Sequence, residues 1–235
     1  MQIIRANTRG NAQFGWLDSY HSFSFGHYYN PSRMGFGMLR VFNDDTVQAG
    51  MGFGTHPHDN MEIITIPTRG TVKHRDSMGT NGEIKPWEVQ VMSAGTGITH
   101  SEFNPSEKED LHFFQIWILP EKRNIKPRYD QKSFFDRIKK NEFIQLVSPD
   151  ASEDSLQINQ KSFIHRLVGE PNKDFEYVPK LKNSGLFIFI IEGQIQIDEE
   201  VLFKRDSLSI PIQNKFSFAT LLESDILVIE TLLKE

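Results

Sequence analysis

The chain has 235 residues, with 26 Lys and Arg against 31 Asp and Glu and a formal net charge of −5. Because a net negative chain lacks the positive field that attracts phosphate backbones, direct nucleic-acid binding is disfavoured. The absence of cysteine excludes disulfide scaffolds, thiolate zinc sites, iron–sulfur clusters and cysteine nucleophiles. Eight histidines remain as candidate metal ligands.

Neither a membrane span nor a secretion signal is predicted. No stretch approaches the roughly 20 apolar residues that a membrane-spanning helix needs, and residues 1–5 lack the apolar core of a signal peptide. We therefore expect a soluble, cytoplasmic protein. The 19 phenylalanines can supply a core, and the length allows one large domain or two small ones.

Short runs of β-branched and aromatic residues, separated by turn residues, predict a series of strands in the first half of the chain. The predicted strands are 35–42, 61–66, 71–76, 89–92 and 112–119. Predicted turns lie at 43–45, 68–70 and 79–82. Regular spacing of this kind is typical of a β-sandwich or β-barrel.

A polar segment separates this half from the next. Residues 120–128 are charged, contain two prolines and show no apolar period, which is typical of a linker. Residues 133–138 are either one helical turn or a connector, and residues 170–174 are predicted to form a loop. We place the domain boundary here, with an N-terminal domain over 1–130 and a C-terminal domain over 131–235.

The second half repeats the strand pattern of the first. Each half has a strand, a glycine and an alternating strand, with Gly70 and Gly193 at the break. The matched segments are 186–198 with 63–76, 207–211 with 89–93, and 226–230 with 115–119. This degenerate duplication predicts an all-β fold of two stacked small antiparallel β-barrels.

Two short segments carry residue types that bind metals. One residue separates His56 from His58, and one residue separates His100 from Glu102. Side chains at i and i+2 of a strand project to the same face, so each pair presents two ligands side by side. If both segments line one barrel, three imidazoles and one carboxylate converge. Pro57 cannot donate to a strand ladder, which suits a strand end near the barrel mouth.

Such a ligand set favours chemistry over a structural role. Three neutral imidazoles and one carboxylate leave a divalent ion with about one positive charge. A six-coordinate ion keeps two open positions, which suit a chelating oxygen-rich substrate, or a substrate and O₂. Structural zinc would instead be closed by four ligands. The loop 92–99, with two glycines, is predicted to approach the buried site closely.

These motifs resemble the pirin family of bicupin proteins. The similar stretches are GTHPH at 54–58 with Glu62 and Gly70, SAGTGITHSE at 93–102 in the pirin form of the second cupin motif, GWLDSYHSFSFG at 15–26, and GTNGEIKP at 79–86. Within the family the chain looks most like the bacterial pirin-like quercetinases. The resemblance is specific over residues 1–130 and architectural beyond them.

The resemblance implies a bicupin fold with one mononuclear metal in the N-terminal barrel. Its ligands would be His56, His58, His100 and Glu102. The general cupin pattern would assign Glu62 instead, whereas pirins take the carboxylate two residues after the third histidine. We expect Fe(II), with Cu, Mn, Co, Ni or Zn as alternatives, and no separate organic cofactor.

Glu62, the histidines outside the predicted ligand set and several large apolar residues are expected to have mainly structural roles. Glu62 is either a hydrogen-bond partner of a ligand imidazole or a solvated strand residue. His21 and His27 lie among aromatic residues and are expected to pack there, with a place at the edge of the pocket as the alternative. His74 is predicted to face solvent. His112 is expected in the core, with the barrel lumen as the alternative. Barrel filling, with some residues forming flat walls for an aromatic substrate, is predicted for Phe36, Met38, Met92, Phe114 and Trp117.

The C-terminal barrel is expected to lack a metal. His165 is its one histidine, and it contains no second His-x-His motif. It is predicted to close the core between the barrels and to cover one side of the substrate cleft.

The resemblance implies two possible functions. The main hypothesis is a metal-dependent dioxygenase with quercetin 2,3-dioxygenase activity, which opens a flavonol ring with O₂ and releases carbon monoxide. Glu102 would be its catalytic base, taking the proton of the 3-hydroxyl. The alternative is a non-enzymatic, metal-bearing regulator that binds protein partners. The expected substrate is a small aromatic polyphenol, and the chain is expected to be monomeric.

Overall fold

The strands of the first half show two burial patterns: some alternate buried and exposed residues, as in a sheet with one covered face, and others are buried in continuous runs, as in a sheet covered on both faces. The computed structural model describes residues 1–212 and 214–233. The first twelve strands are β1 (Gln2–Ile4), β2 (Gly10–Gln13), β3 (Leu17–His21), β4 (Leu39–Val47), β5 (Gly52–His58), β6 (Glu62–Arg69), β7 (Val72–Asp76), β8 (Asn81–Ile84), β9 (Glu88–Ser93), β10 (Ile98–Phe103), β11 (Leu111–Ile118) and β12 (Arg128–Ser133).

The second half contributes ten more strands among the described residues. They are β13 (Phe143–Ser148), β14 (Leu156–Gln157), β15 (Ser162–Gly169), β16 (Lys173–Tyr177), β17 (Ser184–Glu192), β18 (Gln194–Ile197), β19 (Glu200–Phe203), β20 (Ser207–Ile212), β21 (Phe216–Thr220) and β22 (Ser224–Leu232). The helical residues described are short 3₁₀ turns at Ala6–Thr8, Phe135–Arg137 and Ser152–Asp154. Over 1–212 and 214–233, no helix has the length and apolar character needed to cross a membrane.

Each half of the chain builds one large and one small sheet. The large sheets have the orders β12-β9-β6-β11-β4-β3-β2 and β1-β20-β17-β22-β15-β13-β14. The small sheets have the orders β5-β10-β7-β8 and β16-β21-β18-β19. The four central strands follow the same order in both large sheets, β9-β6-β11-β4 in the first and β20-β17-β22-β15 in the second. This agreement is what the duplicated strand pattern of the sequence indicated. The all-β bicupin fold predicted from the sequence is confirmed.

Two strands link the halves. Strand β1 pairs with β20, with Ile3 opposite Leu208, so the first residues of the chain extend the second large sheet. Strand β12, which contains residue 130, pairs along its whole length with β9 of the first large sheet. Both strands cover sheet edges that would otherwise be open to pairing. The division into 1–130 and 131–235 stays a prediction, and residues 213, 234 and 235 of its second part lie outside the described residues.

Phenylalanines join the two large sheets. Phe42 of β4 packs against Phe187 and Phe189 of β17, with ring centroids 5.0 Å and 4.6 Å apart. Phe114 of β11 packs against Phe189 at 5.2 Å. All four rings are completely buried, and aromatic burial of this kind dominates core energetics. The second half therefore closes the core between the barrels, as predicted.

The structure corrects several predicted boundaries. Residues 43–45, predicted as a turn, lie inside β4, and residues 68–69 lie inside β6. The polar side chains of 43–45 resemble a turn in sequence because Asn43 and Asp45 face a polar interior, where they are 2% and 3% exposed. The predicted loop 170–174 is shorter, since β16 begins at Lys173. The helical alternative for 133–138 is correct, as a 3₁₀ turn.

His165 is a buried histidine of the second barrel. It lies on β15, is 3% exposed, and has Nδ1 3.3 Å from the hydroxyl of Tyr177. Burial, reinforced by the charge of Lys180, lowers the pKa of His165 to about 3. An unfolded chain titrates histidine near pH 6.5, so the ring stays neutral in the folded chain while it takes up a proton in the unfolded one.

We predict that His165→Gln flattens the pH dependence of stability. Between pH 6.5 and 3 only the unfolded chain binds this proton, so the free energy of unfolding falls as the pH falls. From pH 7 to pH 5 this histidine accounts for up to about 2 kcal/mol of that loss. Urea unfolding of chelator-treated protein at both pH values measures it, with His27→Gln at an exposed position as the control. Equal losses in His165→Gln and wild type would contradict the prediction.

Candidate metal centre

The pairing of β5 with β10 brings the predicted ligands together. The two strands are antiparallel, and His56 lies directly opposite His100. His58 shares a face with His56, and Glu102 shares a face with His100, because side chains alternate along a strand. The register shifts between His100 and Glu102, an irregularity of the kind that redirects side chains near functional sites.

The three imidazoles converge on one point. Their ring centroids are 4.5–4.9 Å apart, and one ligand nitrogen from each of His56, His58 and His100 lies within 4.8 Å of the others. Ligand atoms this close together could hold one metal ion. Among the described residues neither ring nitrogen of His100 has a hydrogen-bond partner, although the side chain is 1% exposed. A buried imidazole without a partner is costly, so the geometry fits a bound metal.

Burial favours the neutral, metal-binding form of two of these histidines, His58 and His100. Burial, followed by the neighbouring His56, lowers the pKa of His58 to about 4. The pKa of His100 is lowered to about 2, again by burial first and then by the other histidines. Neutral imidazole is the ligand form, so protons compete weakly at neutral pH. Nδ1 of His56 lies 2.8 Å from the carbonyl oxygen of Gly54, which leaves Nε2 as its ligand atom.

Glu102 is held by hydrogen bonds from two strands of the first large sheet. It is 3% exposed, Thr65 Oγ1 donates to its Oε1 at 3.2 Å, and Gln115 Nε2 donates to its Oε2 at 2.9 Å. Burial raises the pKa of the Glu102 carboxyl, while nearby His74 and His56 oppose the rise. The close cluster of ligand atoms consists of the three histidines. A metal bond from Glu102 therefore stays a prediction.

His74 lies in the interior, so the expectation that it faces solvent is wrong. Its ring is completely buried on β7, 5.4 Å from the ring of His100, and its Nε2 lies 3.2 Å from Asp76 Oδ2. The sequence signal was available: Lys73 and Arg75 alternate with His74 and point outward. When both flanking residues are charged, the residue between them is the one that faces the core.

Both interpretations of Glu62 are wrong. The side chain is completely buried, so it is not solvated. Its Oε2 accepts hydrogen bonds from Ser93 Oγ at 2.7 Å and from the backbone N–H of Asn159 at 3.1 Å. The first contact lies within the first large sheet, and the second ties that sheet to a segment of the second half. Among the described residues, neither partner is a ligand imidazole.

The loop between β9 and β10, residues 94–97, approaches the inter-barrel linker. A Cβ at Gly95 would lie 2.1 Å from the carbonyl oxygen of Ile125, and Gly95 has a φ of +49°. The glycine at this position is therefore required by the linker contact, and the predicted close approach to the histidines is not what demands it.

A cavity of about 330 Å³ opens onto His56, His58 and Glu102. Its apolar walls include Phe14, Leu17, Phe25, Phe53 and Trp117. The ring of Trp117 meets that of His58 edge to face at 4.9 Å. Of the five residues predicted to fill the barrel or wall the pocket, Trp117 lines the cavity.

The second barrel does not cover the cleft, contrary to prediction. In the described part of the chain, the lining residues lie between Ala12 and Trp117. The reason is strand alternation: Phe42 and Phe114 face the second barrel, while their neighbours Asn43 and Gln115 line the cavity.

The remaining histidines take different positions. His21 is buried and packs edge to face on Phe25 at 5.2 Å, as predicted, and it also lines the cavity. His27 lines the cavity from an exposed position, so the expected packing role is wrong and the alternative, a place at the pocket, is correct. His112 is half-buried, with Nδ1 3.2 Å from Thr46 Oγ1, and not fully in the core.

Comparison with known proteins gives a consistent result. A family model described as Pirin matches residues 4–118, and one described as Quercetinase C-terminal cupin domain matches 145–231. Quercetin 2,3-dioxygenase of Escherichia coli K12 is 43% identical over 97% of both chains, and a putative quercetin 2,3-dioxygenase of Pasteurella multocida is 34% identical over 98% of this chain and 99% of its own. The structure of the bacterial pirin YhhW from Escherichia coli, in complex with nickel(II), is 40% identical, with a TM-score of 0.93 over 99% of each chain.

We predict that His100→Ala and His74→Gln differ sharply in metal content. His100 contributes a ligand nitrogen to the cluster, whereas His74 is paired with Asp76 and a glutamine there keeps a hydrogen-bonding group. After loading with Ni(II) and desalting, wild type and His74→Gln should retain about one ion per chain, and His100→Ala at most about a tenth of that. Elemental analysis measures the content, and thermal unfolding checks the fold. If folded His100→Ala keeps its Ni(II), or if both variants lose Ni(II) equally, the assignment of His100 as a ligand and of His74 as a non-ligand is contradicted.

Proposed function

Because the chain belongs to the pirin family, we propose that it is a metal-dependent dioxygenase that opens the ring of a flavonol such as quercetin with O₂ and releases carbon monoxide. One observation carries the proposal: the histidine cluster faces a cavity with aromatic walls. A structural metal would be enclosed by protein ligands, whereas this one would be accessible to a substrate.

We assign four ligands to one divalent transition-metal ion: His56, His58, His100 and Glu102. The unpartnered ring nitrogens of His100 and the position of Glu102 in the cavity wall support this set. We expect Fe(II), with Cu, Mn, Co, Ni or Zn as alternatives. The bound ion would act as a Lewis acid toward the deprotonated oxygen of the substrate.

Glu102 is positioned to accept the proton of the 3-hydroxyl. Gln115 and Thr65 each bind one of its carboxylate oxygens, which fixes the orientation of the group. Burial raises the pKa of Glu102, so its carboxylate is a stronger base than one in water. An anchored base at the cavity wall removes the proton without first having to reorient.

The cavity walls suit a flat aromatic substrate. Trp117 and Phe53 present ring surfaces, and the volume of about 330 Å³ lies in the range of small-molecule pockets. Apolar walls also exclude water from the charged atoms, which strengthens electrostatic interactions at the site. We propose that the monomeric chain acts in the cytoplasm, without a nucleic-acid or membrane partner.

The activity test follows quercetin absorbance in the presence of protein loaded separately with each candidate metal. Absorbance should fall in air with at least one metal, with release of carbon monoxide, and should not fall under argon or with chelator. His100→Ala should be inactive, because it lacks one ligand. No loss of quercetin with any of the metals would contradict the proposal and favour the metal-bearing regulator.

We predict that Glu102→Gln lowers kcat by about 10²–10⁴-fold while some metal stays bound, because the amide cannot accept the proton. Glu62→Gln is the matched control, since Glu62 is equally buried in the same barrel but binds Ser93 outside the cavity. Steady-state kinetics with metal analysis separates the two. Unchanged turnover in Glu102→Gln would remove Glu102 from the mechanism.

A further inference from the structure

A row of buried polar side chains crosses the first large sheet on its cavity side. Register places one residue from each of five adjacent strands in line: His21, Asn43, Gln115, Thr65 and Gln90. Each is at most 8% exposed. Gln115 and Thr65 anchor Glu102, but the proposed reaction gives no role to His21 or Asn43, although both line the cavity.

A second pair lies next to this row. Ser19 and Asp45 are opposite each other in β3 and β4, line the same cavity, and are each 3% exposed. Ser19 Oγ is hydrogen-bonded to Asp45 Oδ1 and lies 2.8 Å from His21 Nε2. His21, Ser19 and Asp45 therefore form one hydrogen-bonded chain along the wall.

The hydrogen-bonded chain occupies Nε2 of His21 and not Nδ1. Burial raises the pKa of Asp45 to about 8, so its carboxyl can hold a proton, and the Ser19 hydroxyl can then donate either to Asp45 or to His21 Nε2. Burial, with a contribution from Arg9, lowers the pKa of His21 to about 4, so the ring is neutral and Nδ1 is a donor or an acceptor according to the tautomer. Over the described residues, His21 Nδ1 and Asn43 Oδ1 are buried without a hydrogen-bond partner.

Two buried polar atoms without partners cost free energy unless a ligand supplies the missing hydrogen bonds. A hydroxyl group fits both atoms, because it can donate to the amide oxygen of Asn43, can donate to or accept from the neutral imidazole of His21, and introduces no charge. The strand spacing also sets a distance. His21 lies two strands from Gln115, the residue that anchors Glu102, which corresponds to roughly 10 Å. That separation matches the length of a planar molecule of two or three rings.

We propose that His21, Ser19, Asn43 and Asp45, here called the hydroxyl wall, bind hydroxyl groups on the part of an aromatic substrate that lies away from the metal ligands. The substrate class is then a polyphenol with a chelating edge at one end and at least one further hydroxyl roughly 10 Å away. This inference rests on the proposed function, because that function places the chelating edge at the histidines.

The test compares the binding of quercetin with that of 3-hydroxyflavone. Both have the 3-hydroxyl and 4-keto groups, but 3-hydroxyflavone lacks the hydroxyls of the outer rings. Binding to Ni(II)-loaded protein under argon is followed by tryptophan fluorescence, since Trp117 lines the cavity. Wild type should bind quercetin at least about tenfold more tightly, because a site with buried polar groups rejects a ligand that leaves them unpaired.

Substitutions in the hydroxyl wall test whether it causes the preference for quercetin over 3-hydroxyflavone. Ser19→Ala and Asn43→Ala should each reduce the ratio of the two dissociation constants severalfold, with metal content unchanged. Ser22→Ala is the matched control, because Ser22 is a buried serine next to β3 that does not line the cavity. Should Ser19→Ala fail to fold, Asn43→Ala carries the same test.

The outcomes separate this inference from the proposed function. If quercetin binds more tightly than 3-hydroxyflavone and this preference depends on the wall residues, but quercetin is not lost in an O₂-dependent reaction, the hydroxyl wall is supported and the dioxygenase function is contradicted. If quercetin is turned over but both flavonols bind equally, the hydroxyl wall is contradicted and the dioxygenase function is supported. A ratio that is unchanged in both variants, or no binding of either flavonol, would also overturn the wall, whose polar groups would then serve only to bind ordered water.

Discussion

The site depends on the antiparallel register between β5 and β10. Placing His56 opposite His100 makes two separate His-containing segments into one cluster, and alternation adds His58 and Glu102 to the same face. A shift of one residue in either strand would turn its ligands to the other face of the sheet. The cluster is therefore a property of strand pairing, and its residues need no close spacing along the chain.

The two faces of the first large sheet contact different parts of the molecule. On one face Phe42 and Phe114 pack against phenylalanines of β17, which fixes the second barrel. On the other face Asn43 and Gln115 line the cavity, and Gln115 anchors Glu102. The apolar face is buried against the second barrel, and the polar face holds Glu102 at the candidate metal centre. The second barrel thus acts on the site indirectly, by holding this sheet in place.

Part of this arrangement is visible in the sequence. The His-x-His and His-x-Glu motifs identify the segments that meet, and the repeated strand–glycine–strand pattern indicates the duplicated fold. Two predictions fail for different reasons. The polar residues at 43–45 resemble a turn because their strand places Asn43 and Asp45 in the cavity wall and therefore lacks apolar residues there. His74 resembles a surface residue because histidine is polar, although the charged residues on either side of it indicate that it faces inward. Which side of the sheet the second barrel covers is likewise fixed by tertiary packing, which no local pattern encodes.

Anomalous diffraction from crystals of the metal-loaded protein, at the absorption edge of the bound metal, tests the central claim most directly. The account predicts one strong peak per chain, at about 2.0–2.2 Å from a nitrogen of each of His56, His58 and His100 and from an oxygen of Glu102. A peak elsewhere, or an ion bound by fewer than two of these histidines, would contradict it.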